Sequence, residues 1–392
     1  PPAAREATPD GHPPGLRGGS AGAAGVLADR ASPITEAQLT AMASRGATAV
    51  VMITCRRPQY LQRAMGTLLK APRDAALFPI IISQDDFDIS MTQAINQHYV
   101  KPGIAFHMQH AHEEGAQEIA NQFSKAKVTV GYVRIAQHYG FALRRVFDDM
   151  GFKALIFVEE DIDVAPDFFS YFGAMLPMLR SDPDLFCVSA WNDNGDASLV
   201  KDSMAAFRTD FFPGLGWMLL REVWLEVRER WAKAYWDEFM RRPDVRRGRH
   251  CIRPEVSRSF TFGEKGTSAG QFFKSHLSHI KLNSEAVDWS VQDLAFLGSA
   301  GAFDEWLCAR LREATAVRIS DVDVMAHKVA RGQSLRIAYD DGQDYKAIAK
   351  KFGLMEDEKA GIRRMSYRGV IPFSWQGTRI FLYTRSWPVD FG

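Results

Sequence analysis

The stretch Ala154-Leu155-Ile156-Phe157-Val158, followed by Glu159-Glu160-Asp161-Ile162-Asp163, decides the fold. A run of apolar residues stops abruptly at three adjacent carboxylates. In a chain where strands alternate with helices, this reads as a buried strand with acids at its carboxyl edge. That edge is where open α/β sheets bind ligands. Carboxylates packed this tightly repel one another unless a cation sits among them, and no basic residue adjoins them in sequence. A hard divalent ion bridging protein carboxylate and substrate phosphates answers that need, which points to a nucleoside-diphosphate ligand. Asp161 is the expected metal ligand. Glu159 and Glu160 are expected to hold sugar hydroxyls or metal-bound water. The plainer alternative is a solvated loop after a strand.

Outward from this segment, apolar runs at Ala49–Thr54, Leu77–Ser83 and Phe186–Ala190 read as further strands. Helical spacing follows Pro58, which suits a first-turn position, and recurs over 132–149, from Ala165 to Leu179, and over 221–240. Strand and helix in alternation predict an α/β fold: a mainly parallel sheet with helices on both faces. Residues 1–45 are rich in Ala, Gly and Pro and read as a linker or stalk. Residues 46–300 are then the main domain, and 301–392 a smaller C-terminal one.

Composition narrows the function classes. The chain has 392 residues, 46% of them hydrophobic, with a net charge of +1. That balance gives no whole-molecule attraction to nucleic acid or membranes. Four scattered cysteines, Cys55, Cys187, Cys251 and Cys308, form no CxxC pair, which argues against a zinc site. No run of about 20 apolar residues reads as a membrane span.

Other constellations could carry chemistry. Asp85 ends the second strand and Arg57 follows the first, at the same sheet edge as Asp161. A carboxylate there can accept from a ribose or a base, and an Arg can donate to phosphate; an ordinary strand-end ion pair is the alternative. In Tyr235-Trp236-Asp237-Glu238-Phe239-Met240, aromatics flank two carboxylates. An apolar wall can tune a carboxylate for general-base work, though an amphipathic helix end looks the same. Gly214-Leu215-Gly216 allows close backbone approach to a ligand. The basic run Arg241, Arg242, Arg246, Arg247, Arg249, Arg253 and Arg258 reads by default as a solvated face. His138 and Ser268 carry no signal of their own.

Longer blocks carry a resemblance. Val158 to Phe169, Phe186 to Gly195, Arg208 to Trp217, Trp236 to Pro243 and Gly248 to Glu255 together resemble the N-acetylglucosaminyltransferase I family. The similarity runs from about Val50 to Val370. The family that modifies O-linked mannose shares several blocks, but Asp344 to Lys350 and Tyr367-Arg368-Gly369 look more like the N-glycan family. The resemblance implies a GT-A fold and a UDP-GlcNAc donor used with Mn2+. It also implies inverting β1,2 transfer to the α1,3-linked mannose of a high-mannose N-glycan. Transfer to O-linked mannose and a non-catalytic glycan binder are the competing readings.

By resemblance, Asp161 binds the metal, and Arg57, Asp85, His138 and Ser268 contact the nucleotide. Leu215 and Trp236 shape the sugar pocket, Asp237 is the base, and Cys187 pairs with Cys251. Golgi residence, with a membrane anchor outside this chain, is implied on the same ground. Three departures stand out. Glu160 replaces the usual Asp, Glu238 follows the base, and Asp86 occupies a position that is cysteine in vertebrate members, so Cys55 lacks that partner.

Overall fold

The computed structural model describes residues 32–123, 128–264, 273, 276–330 and 332–387. Its centre is an eight-stranded sheet. In chain order its early strands are β1 (Thr48–Thr54), β2 (Ile80–Asp85), β3 (Ala105–His110) and β4 (Ala154–Glu159). A short strand outside this sheet, β5 (Ile162–Val164), follows, then β6 (Leu185–Ser189), β7 (Ala206–Thr209), β8 (Trp217–Leu220) and β9 (His250–Pro254). The order across the sheet is β3-β2-β1-β4-β8-β6-β9-β7. From β3 to β4 every neighbour is parallel, and β6 and β9 are parallel too. β8 runs antiparallel to both β4 and β6, and β7 antiparallel to β9.

β1 lies between β2 and β4, so the chain leaves it toward one side and later returns to the other. This is a topological switch point, where the loops beyond the two carboxyl ends diverge and leave a crevice. The strands are buried on both faces. Val50 and Met52 of β1 join one core with the helix Pro58–Lys70 and the helix Phe168–Ser181. Ala49 and Val51 join a second core with the helices Glu36–Ser44 and Val130–Arg144. Helices therefore cover both faces, as the apolar runs predict.

Three expectations need correction. The stretch read as a stalk reaches too far. Glu36–Ser44 is a helix opened by a reciprocal Thr35–Gln38 capping box, and its Leu39 is fully buried. The helical pattern over 221–240 is two helices, Arg221–Val227 and Trp236–Arg241. The chain breaks between them, with Tyr235 at a left-handed φ of 48°. The basic run is a solvated face only in part, at Arg242 and Arg247. Arg253 and Arg258 are 0% exposed, and Arg258 pairs with buried Asp167.

Toward the C-terminus, the four strands Thr315–Ala316, Ser334–Tyr339, Thr378–Thr384 and Ile371–Trp375 form a second sheet in that spatial order. It has its own apolar core, including Ile337, Tyr345 and Phe373. Cys187 and Cys251, cross-strand neighbours on β6 and β9, are disulfide-bonded. No helix among the described residues is long and apolar enough to cross a membrane.

Candidate active site

A cavity of about 550 Å³ opens at the carboxyl ends of β1, β2 and β4. Arg57, Asp85, His138, Glu159, Glu160, Asp161 and Leu215 all line it. Seven residues singled out in the sequence thus meet at one place, although 158 positions separate the first from the last. Ser268 lies outside the described residues.

The acidic turn has a basic partner after all, supplied from far along the chain. Arg57 Nε donates to Glu160 Oε1 at 2.6 Å, and its Nη2 donates to Asp161 Oδ2 at 3.0 Å. Glu160 also accepts from the Thr54 hydroxyl and, at 3.1 Å, from the Cys55 N–H. It is therefore turned into the protein and ties the β4 turn to the end of β1. Asp161 keeps more exposure, and its carboxylate packs against the backbone of Gly263. A Cβ built on Gly263 would lie 2.9 Å from Asp161 Cγ.

Glu159 takes a third direction. Tyr139 donates its hydroxyl to Glu159 Oε1 at 2.8 Å. Burial, with the charge of Asp161 next in effect, pushes the Glu159 carboxyl up to about 7. Tyr139 continues into an aromatic stack with Trp236 at 4.2 Å, and Trp236 stacks on Trp217 at 5.4 Å. Trp236 is buried in this stack, beneath the cavity rather than in it.

Asp85 does not pair with Arg57. Its oxygens accept from His110 Nδ1 at 2.7 Å and His112 Nε2 at 3.2 Å. Burial alone would raise its pKa, but the hydrogen bond from His110 and the charges of nearby histidines hold it below the usual range. His138 shares a 2.8 Å hydrogen bond with the Ser83 hydroxyl and stacks on His110. Burial pushes its pKa down to about 4, so the ring is neutral at pH 7. Cys55, also in the cavity, is a free thiol pushed up to about 12 by burial and by Asp85 and Glu160. Asp86 is instead paired with Arg56.

The Gly214-Leu215-Gly216 loop has positive φ at all three residues, 71°, 49° and 85°. Two hydroxyls pin it: Ser189 donates to Gly214 O at 2.9 Å and Ser259 to Leu215 O at 2.6 Å. The effect is to present Leu215 to the cavity.

Asp237 and Glu238 open the helix Trp236–Arg241. Arg241 Nη1 donates to Asp237 Oδ2 at 2.7 Å, so this carboxylate faces a guanidinium. Burial is the main cause that raises the pKa values of Glu159, Tyr139 and Tyr132, all of which line the cavity, and the charge of Asp237 adds a smaller rise to each. Glu238 accepts a hydrogen bond from Lys359 Nζ at 2.8 Å.

Residues 27–389 match the GNT-I family. The chain belongs to that family. It is 38% identical over 348 residues to an Arabidopsis thaliana protein named alpha-1,3-mannosyl-glycoprotein 2-beta-N-acetylglucosaminyltransferase, covering 88% of this chain and 76% of that one. Among solved structures, this GNT-I family member is partly similar to S. aureus TarS 1-349 in complex with UDP-GlcNAc. There the TM-score is 0.39 at 11% identity, over 60% of this chain and 62% of that one. A mannosyltransferase from Pyrobaculum calidifontis, PcManGT, in complex with GDP-Man and Mn2+, gives a TM-score of 0.38 at 14% identity, over 62% and 74%.

Within this GNT-I family chain, no group of three His, Cys, Asp or Glu side chains among the described residues could enclose a metal ion. Of the carboxylates lining the cavity, Glu159 is bonded to Tyr139, Glu160 is turned into the protein and Asp85 is held by two histidines, which leaves Asp161 as the candidate ligand. That donor set fits a hard divalent ion that takes most of its ligands from a diphosphate and water.

Sequence reasoning missed Tyr139, His110, His112 and Gly263. Tyr139 sits one residue after His138 in a helix already identified, and its distance from Glu159 is a tertiary fact. His110 ends β3, a strand that was not recognised, and His112 lies in the loop beyond it.

Proposed function

We propose that this chain is an inverting glycosyltransferase of GT-A type. It transfers GlcNAc from UDP-GlcNAc, in β1,2 linkage, to the α1,3-linked mannose of a high-mannose N-glycan. One observation carries the reading: the Glu159-Glu160-Asp161 turn lies at the β1/β4 switch point, in one cavity with Arg57, Asp85, His138 and Leu215, in a chain of the GNT-I family.

The roles follow from where the groups lie. Neutral His138 and the Asp85 carboxylate, at the β2 side, offer a base and ribose hydrogen-bonding partners. Arg57, with Arg56 and Arg134 also lining the cavity, offers positive charge for the diphosphate. Asp161 would hold Mn2+, which when bound neutralises charge on the departing UDP. Leu215, held rigidly by its loop, and Trp236, through the stack below, shape the space for GlcNAc. Glu159, carrying its proton over part of the neutral range, can donate to or accept from a sugar hydroxyl.

Asp237 takes the proton from the mannose 2-hydroxyl as that oxygen attacks the anomeric carbon. The bond from that carbon to the UDP oxygen breaks as the new one forms, so the configuration inverts and no covalent intermediate arises. Arg241 fixes the Asp237 side chain in place. The proposed setting is the Golgi lumen. An oxidising lumen is the kind of compartment in which the Cys187–Cys251 bond persists.

The test is Asp237→Asn. It keeps shape and removes the base, so kcat should fall by about 10²–10⁴, with UDP-GlcNAc affinity by calorimetry unchanged. Equal losses in kcat and in donor binding would contradict the base assignment.

A further inference from the structure

Two carboxylates stand side by side at the start of the helix Trp236–Arg241, and one guanidinium reaches both. Arg241 Nη1 lies 2.7 Å from Asp237 Oδ2 and 3.3 Å from Glu238 Oε1. Arg241 itself cannot drift. It is 7% exposed, its Nε donates to Phe212 O at 3.1 Å, and its plane lies over the Phe211 ring. The position of each carboxylate is therefore set by how it shares a fixed donor.

A second cation resolves the sharing. Lys359 Nζ donates at 2.8 Å to Glu238 Oε1, the same oxygen that Arg241 approaches at 3.3 Å. Lys359 comes from the C-terminal part of the chain, on a hairpin pairing Glu358–Lys359 with Ile362–Arg363. Its turn, Ala360-Gly361, has positive φ at both residues, as a tight two-residue hairpin requires. The hairpin is anchored as well. Arg363 pairs with Glu358 and lies over the Tyr339 and Tyr345 rings, and Arg364 bridges Asp193 and Asp357. Lys359 is thus delivered by a braced element.

We propose that Lys359 is a positioning residue for the base. By holding Glu238, it leaves the Arg241 guanidinium to Asp237 and so decides which of two adjacent carboxylates points at the acceptor. This rests on the transferase reading above and deepens it. The C-terminal region becomes part of the catalytic arrangement without touching the reacting atoms. Without Lys359, two carboxylates share one cation. Glu238 then competes for Arg241 Nη1, and Asp237 loses its fixed orientation.

The experiment compares wild type, K359M, K359R, E238Q and the K359M/E238Q double variant. Acceptor-dependent UDP release gives kcat and the acceptor KM; calorimetry gives UDP-GlcNAc binding. K359M should lower kcat, by as much as about 10²-fold if the base is displaced by about 1 Å, with donor binding unchanged. K359R, which keeps a cation, should stay close to wild type. The discriminating result is the double variant: neutralising Glu238 removes the competitor, so kcat should recover most of the loss. A purely structural role for Lys359 gives no such rescue. The inference is overturned if K359M is fully active, or if K359M/E238Q is as impaired as K359M alone. Wild-type protein that releases no UDP overturns the transferase reading itself, a distinguishable failure.

Discussion

Gly263→Ala is the sharpest single perturbation of the proposed metal site. A Cβ at this position would lie 2.9 Å from Asp161 Cγ and 3.1 Å from Asp161 Cβ, with Oδ2 nearer still. Ordinary contact begins several tenths of an ångström farther out, so the carboxylate must swing or shift by about 1 Å. Asp161 Cβ is crowded too, so rotating the carboxylate alone does not relieve the clash. The 3.0 Å bond from Arg57 Nη2 to Asp161 Oδ2 is lost with it. A displacement of about 1 Å at a positioned group can cost about 10²-fold in rate. Stability should barely change. This ion pair is partly buried, with the Arg57 and Asp161 side chains 33% and 18% exposed; pairs at or near the surface contribute about 0–1 kcal/mol, and Gly→Ala restricts the unfolded chain by a comparable amount in the other direction. The assay is the manganese dependence of UDP release. G263A should show roughly 10²-fold lower kcat and need more manganese for half-maximal rate, with its melting temperature near wild type. Gly66→Ala is the control, because nothing lies within 4 Å of the added methyl and the residue is helical. G263A with wild-type kcat and an unchanged manganese requirement would refute the placement of Asp161 as metal ligand.

Other outcomes follow from the same geometry. His138 titrates near 6.5 when unfolded but only at about 4 when folded. Between these values the unfolded state binds more protons, so stability is present above pH 6.5 and is lost as pH falls toward 4. The contribution reaches about 3 kcal/mol. The stability gap between wild type and H138Q in urea unfolding should therefore shrink from pH 7.5 to pH 4.5. The disulfide links residues 64 apart. Replacing both Cys187 and Cys251 by Ser should lower unfolding stability by about 4 kcal/mol on loop-closure grounds, seen as a lower denaturant midpoint.

How much of this was legible depended on whether the deciding interaction was local. β1 and β4 announce themselves because strands buried on both faces are written as unbroken apolar runs. The acid turn after β4 is equally plain. β3 escaped because Ala105-Phe106-His107-Met108-Gln109-His110 mixes polar side chains into a strand with a partly buried pattern. β9 was hidden inside the basic run, where Arg253 reads as surface although the fold buries it completely. The helix Glu36–Ser44 did leave a signal, Thr35 and Gln38 at capping-box spacing, masked by the Gly-rich sequence before it.

At the site, the residues were readable but their partners were not. Arg57 reaches Glu160 across 103 positions, and Lys359 reaches Glu238 across 121. Nothing in local patterning encodes such pairs. Asp85 looked like a partner for Arg57 because both stand at one sheet edge, yet two histidines from β3 and the loop beyond claim it.

The most direct test of the central claim is UDP release from UDP-GlcNAc by the purified protein with manganese and a five-mannose N-glycan. EDTA and an acceptor-free reaction are run in parallel, and the product linkage is read by NMR. The account predicts release that requires both acceptor and metal, and a new β1,2-linked GlcNAc on the α1,3 mannose. Release without acceptor, or undiminished by EDTA, would contradict it.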